Sequence, residues 1–302
     1  MREIEEYLEK AGCSDIEKEE LKFVISQAKQ SIESWKAHLL RSTNQDECRL
    51  DVLRGLSASS ILLVLDWAMK FLPRKFRESQ SDWYGKRGIP WHIAVAIRSS
   101  SGEMEMMTFV HLFDSATSQD SSTVLAVLDD VFSQLKTVMP ELQTINIRND
   151  NTGGYHCAQT LVTSPTIARS HGLQISRIDF SEPQGGKGAC DRKSATIKSH
   201  MAAYLNSGHD IQTATQMQEA IESFGGVHGV SVRVCSPPGD PSSKNIHKWE
   251  KVSYISNLLY SDDGIRTWKA YNTGPGKLIP WTKSMYQKNR SCWRWRSGPP
   301  PT

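Results

Sequence analysis

A mixed α/β fold built around one central sheet is predicted by three observations. Short apolar runs bounded by polar or turn residues recur through the middle of the chain, as buried strands do. Between them lie stretches with apolar residues at helical spacing. Three of the runs lead into an aspartate: Asp66 after Ile61 to Leu65, Asp150 after LQTINIR (142–148), and Asp191 beyond LQISRIDF (173–180). If those strands pair side by side, their carboxylates meet at one edge of the sheet. Crowded carboxylates repel unless divalent cations lie between them, so the placement points to a hard-metal site for two Mg2+ or Mn2+ ions.

Taken in order, residues 1 to about 50 read as helix, with Asp15 as its N-cap. Leu21, Val24, Ile25, Ala28, Ile32, Trp35 and Leu39 then recur at helical spacing and predict an ordinary packing face. Ser60 to Leu65 is a strand ending in Asp66. After the polar connection RKFRESQSDWYGKRGIP come WHIAVAIR and MEMMTFVHLF, separated by a Ser-Ser-Ser-Gly turn, which read as a hairpin. A helix starts at Ser121, carries Val124, Val127, Leu128, Val131 and Leu135, and is stopped by Pro140. The strand ending at Asp150, helical residues at about 155–169 and the strand 173–180 follow. A long helix then runs from near Asp191 to Asn206-Ser207-Gly208. The order β-β-β-α-β-α-β-α is that of the ribonuclease-H-like fold, a mixed sheet flanked by helices. The predicted organisation is a helical segment over 1–56, the core over 57–225, and an extension over 226–302 with short strands and a basic tail ending SGPPPT.

Composition limits the function classes. Of 302 residues 38% are hydrophobic and 23% charged, and no apolar run approaches the roughly 20 residues of a membrane span. The opening MREIEEYLEK is charged from its second residue and does not read as a secretory signal. Six scattered cysteines without a CxxC pair suit reduced thiols inside a cell. The net charge of +3 is too small to argue for nucleic acid, but from Lys277 onward Lys and Arg occur with no acid among them.

Several motifs compete for the chemistry. An aspartate at a strand end is commonly a turn former, and Asp191 could serve as a helix cap. Glu182, in FSEPQGGKG, is an alternative third acid, and Asp179 sits one place before its strand's end, where alternation would turn it to the other side. PQGGKG lacks the first Gly and the Ser or Thr of a nucleotide-binding P-loop. Its turn amides and Lys187 suit a polynucleotide phosphate better. His156, Cys157, Cys190 and His200 lack zinc-ligand spacing and read as packed side chains. Arg74, Lys75, Arg77, Lys86 and Arg87, interleaved with Phe76, Trp83 and Tyr84, form a candidate nucleic-acid surface.

The segments DWAMKFLP, SQSDWYGKRGIPWH, RNDNTGGYHC, DFSEPQGGKGACDR and WKAYNTGPGK together resemble eukaryotic transposon-derived proteins with a DDE/D transposase domain, over roughly residues 30–275. The resemblance implies an enzyme that cuts and joins DNA in the nucleus, a possible homo-oligomer, using three carboxylates and two divalent metals. Asp66 would bridge the metals, Asp150 would hold one, and Asp191 or Glu182 the other. The third acid is commonly Glu in that superfamily, so Asp191 departs from the pattern. Without a sequence-specific DNA-binding finger, the chain resembles a fragment or a domesticated descendant. The rival expectations are a catalytically silent DNA- or chromatin-binding protein and a ribonuclease-H-like nuclease.

Overall fold

Strand β1 (Ser60–Phe71) lies at the centre of the sheet, and its two neighbours fix where any site can be. On one side it pairs antiparallel with β2 (Ile89–Ser100), which pairs antiparallel with β3 (Glu103–Phe113). On the other it runs parallel to β4 (Thr144–Asn149), itself parallel to β5 (Gln174–Phe180). This is the ribonuclease-H-like arrangement that the element order predicted. The computed structural model describes Tyr7 and residues 14–182, 188–236 and 249–281, with Trp83 described by its backbone.

The segment after residue 226 adds strands to both edges of the same sheet. Strand β6 (Val230–Cys235) pairs parallel with β3, while β7 (Asn257–Ser261), β8 (Gly264–Trp268) and β9 (Lys277–Pro280) extend the β5 edge. The nine strands run β6-β3-β2-β1-β4-β5-β7-β8-β9. Lys187 with its glycine-rich turn, and the basic tail beyond Trp281, fall outside the described residues.

Alternation along β1 divides the core. Ile61, Leu63 and Leu65 point to the face covered by α2 (Ser121–Val138) and α3 (Ala158–Ser170), with Leu128, Phe132 and Leu161. Leu62 and Val64 point to the face covered by α4 (Ala189–Asn206) and α5 (Ala214–Glu222), with Ile197, Met201 and Met217. Each buried aliphatic side chain contributes about 1.5–3 kcal/mol, so this two-sided packing dominates the fold's stability. Asp120 caps α2 by accepting from the Thr123 amide, and Thr213 caps α5 through Gln216.

Helix α1 (Asp15–Arg54) departs from expectation twice. Its N-cap is Ser14, not Asp15: the Ser14 hydroxyl accepts from the Glu17 amide while Glu17 accepts from the Ser14 amide, a capping box shifted by one residue. Its apolar stripe is also not a face packed on the core. Only Gln45, Cys48 and Val52, near the C-terminal end, are buried, whereas Ile32 and Trp35 are 52% and 61% exposed.

Candidate functional site: an acidic cleft at the end of β1 and β4

β1 does not stop at Asp66, as the apolar run suggested; it continues to Phe71 because β2 goes on pairing with it. What ends there is the parallel pairing to β4, whose last register pair is Leu65 with Asn149. Asp66 and Asp150 are therefore the first residues beyond that pair on adjacent strands. Period-two alternation gives Asp66 the face of Leu62 and Val64, which is the α4 face. Asp191 lies in the first turn of α4, and the preceding Cys190 is buried beneath, its thiol donating to the Val64 carbonyl at 3.3 Å. One cleft is thus lined by Asp66, Asp150, Asp191 and Glu182, with Asp46 and Arg49 of α1, Arg148 and Asn149 of β4, and Arg192.

The electrostatics single out Asp66. Burial, and then the charges of Asp150 and Asp191, raise its pKa to about 7. Such coupling requires the three groups to share one weakly screened space. Behind Asp66 lies a packed cluster of rings. The ring of Trp67 meets His92 edge-on at 5.1 Å, and His92 Nε2 lies 2.7 Å from the Tyr155 hydroxyl. Tyr155 is fully buried and its pKa is pushed well above the usual phenol range by burial. It anchors the loop after Asp150. Gly154 allows that loop to approach α2, since a Cβ there would stand 2.3 Å from the Gln119 carbonyl oxygen.

Local geometry gives Asp150 and Asp191 second duties. Asp150 Oδ1 accepts from the amide and hydroxyl of Thr152 at 3.1 and 2.9 Å, an Asx turn. Asp191 Oδ2 accepts from the Gly188 amide at 2.9 Å, at the N-terminus of α4. Each thereby keeps one carboxylate oxygen without a hydrogen bond among the described residues. As they stand, no three His, Cys, Asp or Glu of the described residues lie close enough to hold a metal ion. The donor chemistry nevertheless suits a hard divalent cation: three carboxylates share a cleft, and one of them resists ionisation.

The other candidates separate. Glu182 is not turned outward: it is buried, accepting from Arg41 Nε at 2.9 Å and lying 3.2 Å from His38 Nδ1. Both its oxygens are thereby engaged by side chains of α1. Asp179 is buried between Arg177 and Asn257, at 2.6 Å from each. His156 stacks on Phe180, Cys157 turns to Thr160 and Gly154, and His200 meets the Ser223 carbonyl, so these share no centre with Cys190.

The basic connection is less open than its sequence suggests. Lys75 pairs with Asp82 at 3.0 Å, and Lys86 is enclosed by Glu78 and the Pro73 carbonyl. Arg74, Arg77 and Arg87 are exposed, and Arg74 also bridges through its backbone to Ile211. Sequence reasoning missed Asn149 and Arg49 as cleft residues. The strand end flagged Asn149's neighbour; nothing in the sequence announces that α1 folds over the cleft.

Fold and cleft define a ribonuclease-H-like α/β domain with an acidic edge at its two central parallel strands. Over residues 49–236 the sequence matches the family described as a domain of unknown function, DUF8701, and the chain belongs to that family. No curated protein matches it. Similar solved structures include the human cytomegalovirus terminase nuclease domain, Mn-soaked and inhibitor-bound, at 11% identity over 60% of this chain and 70% of that one, TM-score 0.25. The Mos1 transposase paired-end complex with the left transposon end is 12% identical over 61% of this chain and 53% of that one, TM-score 0.31. The Mos1 mariner paired-end complex with Mn is 9% identical, over 61% and 58%, TM-score 0.28. The chain thus spans little more than half the length of the Mos1 chains it matches. The fold assignment rests on strand order and register, not on these likenesses.

Proposed function

We propose that this domain is the core of a DDE/D-type polynucleotidyl transferase that cleaves DNA, and joins its ends, with divalent metal. The observation that carries the reading is the shared cleft: carboxylates from β1, the end of β4 and the first turn of α4 converge on it, and two of them hold Asp66 in reluctance to ionise. Asp66, Asp150 and Asp191 would hold the Mg2+ or Mn2+. Bound there, such ions would activate a water or a DNA 3′-hydroxyl and stabilise the departing oxygen in an in-line displacement. The protein's part is positional. The β1–β4 pairing holds two acids on rigid strands, and the Asx turn and helix cap fix the approach of Asp150 and Asp191. The Trp67–His92–Tyr155 cluster backs the strand behind Asp66. The exposed Arg74, Arg77 and Arg87 would meet DNA phosphates. Action in the nucleus belongs to the same proposal, and a fluorescently tagged chain spread through the cytoplasm would remove it.

One observation favours a second reading, a DNA-binding domain without chemistry. Asp150 and Asp191 already serve as turn former and cap, and the described acids do not close on a cation by themselves. Two measurements on Asp66→Asn and Asp150→Asn separate the readings. The enzyme reading expects Mn2+-supported nicking of supercoiled DNA to fall by at least about a hundredfold in each. It also expects the Mn2+-induced rise in melting temperature of the parent to vanish. Nicking and thermal shift that persist in both variants would overturn the metal assignment. Absence of both in the parent, with DNA still bound, would establish the second reading.

A further inference from the structure

The exposed half of α1 carries a repeat that the fold does not use. From Leu21 the apolar positions run Leu21, Ile25, Ala28, Ile32, Trp35, Leu39, with steps of four, three, four, three and four. That alternation averages 3.5 residues, the period of a supercoiled pair of helices, whereas a straight helix lying on a core follows 3.6. None of the six is buried; Leu21, Ile32, Trp35 and Leu39 are exposed large hydrophobic residues. We infer that α1 pairs with α1 of a second copy of this chain in a parallel, two-stranded coiled coil.

Residue types and charge select this occupant. In the heptad the spacing defines, Ile25, Ile32 and Leu39 fall at a positions, and Leu21, Ala28 and Trp35 at d. β-Branched residues at a with Leu at a d position favour two parallel strands. The flanking e positions are Lys22, Lys29 and Lys36, and the g positions are Glu17, Val24 and Ser31. In a parallel pair each g position faces the partner's next e position. Glu17 then meets a lysine and no like charges are opposed. In an antiparallel pair e faces e, which would set Lys22 against Lys36 and Lys29 against its own copy. Charge therefore opposes the antiparallel arrangement. Helix α1 has 40 residues, about 60 Å of length, and its buried residues begin only at Gln45. The helix bonds to Glu182 through His38 and Arg41, so the stripe from Leu21 to Trp35 precedes that attachment, and the helix's C-terminal end holds each core.

Sedimentation equilibrium of the full chain is expected to show a dimer. Ile25→Asp with Ile32→Asp should weaken it by at least about a hundredfold, because each charge would be buried at an a position without a partner. The melting of the core should not change, since neither side chain packs on it. A parent that is monomeric at about 50 μM, or a dimer indifferent to the double substitution, would overturn the inference. Direction is read by cysteine cross-linking under mild oxidation. Ala28→Cys faces its own copy in a parallel pair and should give covalent dimer, whereas Gln30→Cys, on the outer face, should give no more than the parent. Dimer from a Leu21→Cys, Leu39→Cys chain, and none from Ala28→Cys, would overturn the parallel arrangement.

Discussion

Two aspartates on strands separated only by β4, Asp179 buried and Asp66 half-buried, have opposite surroundings. On β5, Asp179 is held by Arg177 through two guanidinium hydrogen bonds, at 2.6 and 2.9 Å, and by the Asn257 amide. Asn257 in turn exchanges hydrogen bonds with Gln45 of α1 at 2.8 and 3.0 Å. That network ties α1 and β7 to the sheet and leaves its charges answered. On β1, Asp66 faces two further carboxylates, and its pKa is raised to about 7. A fold gains nothing in stability from such an arrangement. The contrast shows how to tell an acid that builds the protein from one that stands ready for something outside it.

The largest effects should appear when the two acids are exchanged for their amides. Asp179→Asn is expected to cost about 2–4 kcal/mol, because it leaves Arg177 partly buried without its charge partner. Asp66→Asn should do the reverse near neutral pH. In the folded chain Asp66 keeps its proton up to about pH 7, whereas unfolded it loses it near ~4, so between those values the folded state holds the extra proton. Stability contributed by Asp66 is therefore present below pH ~4 and declines as pH rises toward 7. Asp66→Asn should remove that decline and stabilise the protein by about 1–2 kcal/mol at pH 8, after allowance for solvent screening. Denaturant titrations at pH 4.5, 6 and 8 check the sign. A parent whose stability rises over this range relative to Asp66→Asn would break the comparison.

A smaller effect should separate Asp191 from Glu182. Asp191→Asn is expected to reduce Mn2+ affinity by about tenfold or more, while its cap to Gly188, a hydrogen bond an amide oxygen also accepts, largely survives. Glu182→Gln should leave Mn2+ affinity within about twofold and instead loosen α1, as Arg41 loses its charge partner at about 0.5–1 kcal/mol. Calorimetric titration with Mn2+ reads the first, and hydrogen exchange in α1 the second. A larger loss of metal affinity in Glu182→Gln would exchange the two assignments.

The smallest effect concerns DNA. Replacing Arg74, Arg77 and Arg87 by Ala should lower the slope of log Kd against log salt by up to about 2.7, roughly 0.9 for each phosphate no longer neutralised. Lys75 and Lys86 are left in place because Asp82 and Glu78 engage them. Equal slopes for variant and parent would remove this connection from the DNA surface.

The order of elements was legible because each carries its own period. Two-residue alternation or a continuous apolar run marked the strands, and 3.6-residue spacing marked α2 and α4. The acids that follow the apolar run of β1 and the end of β4 were visible as punctuation of those runs. Where the sequence misled, a partner distant in the chain was responsible. β1 outruns its apolar segment because β2 supplies hydrogen bonds as far as Ile89, and hydrogen bonding, not hydrophobicity, ends a strand. The stripe on α1 predicted a packing face, and the core leaves it bare, which only the tertiary structure reveals. By position Asp191 was the first candidate for the third acid and Glu182 its alternative. Arg41 and His38, 141 and 144 residues away, engage both oxygens of Glu182, whereas Asp191, in the same cleft, bonds through one oxygen to the Gly188 amide. By itself the sequence determined which residues are carboxylates, which elements they close and how those elements are ordered. The tertiary structure decided which carboxylates meet, which are neutralised and which proton is hard to lose, because charge interactions act through space and depend on what the fold brings within a few ångströms.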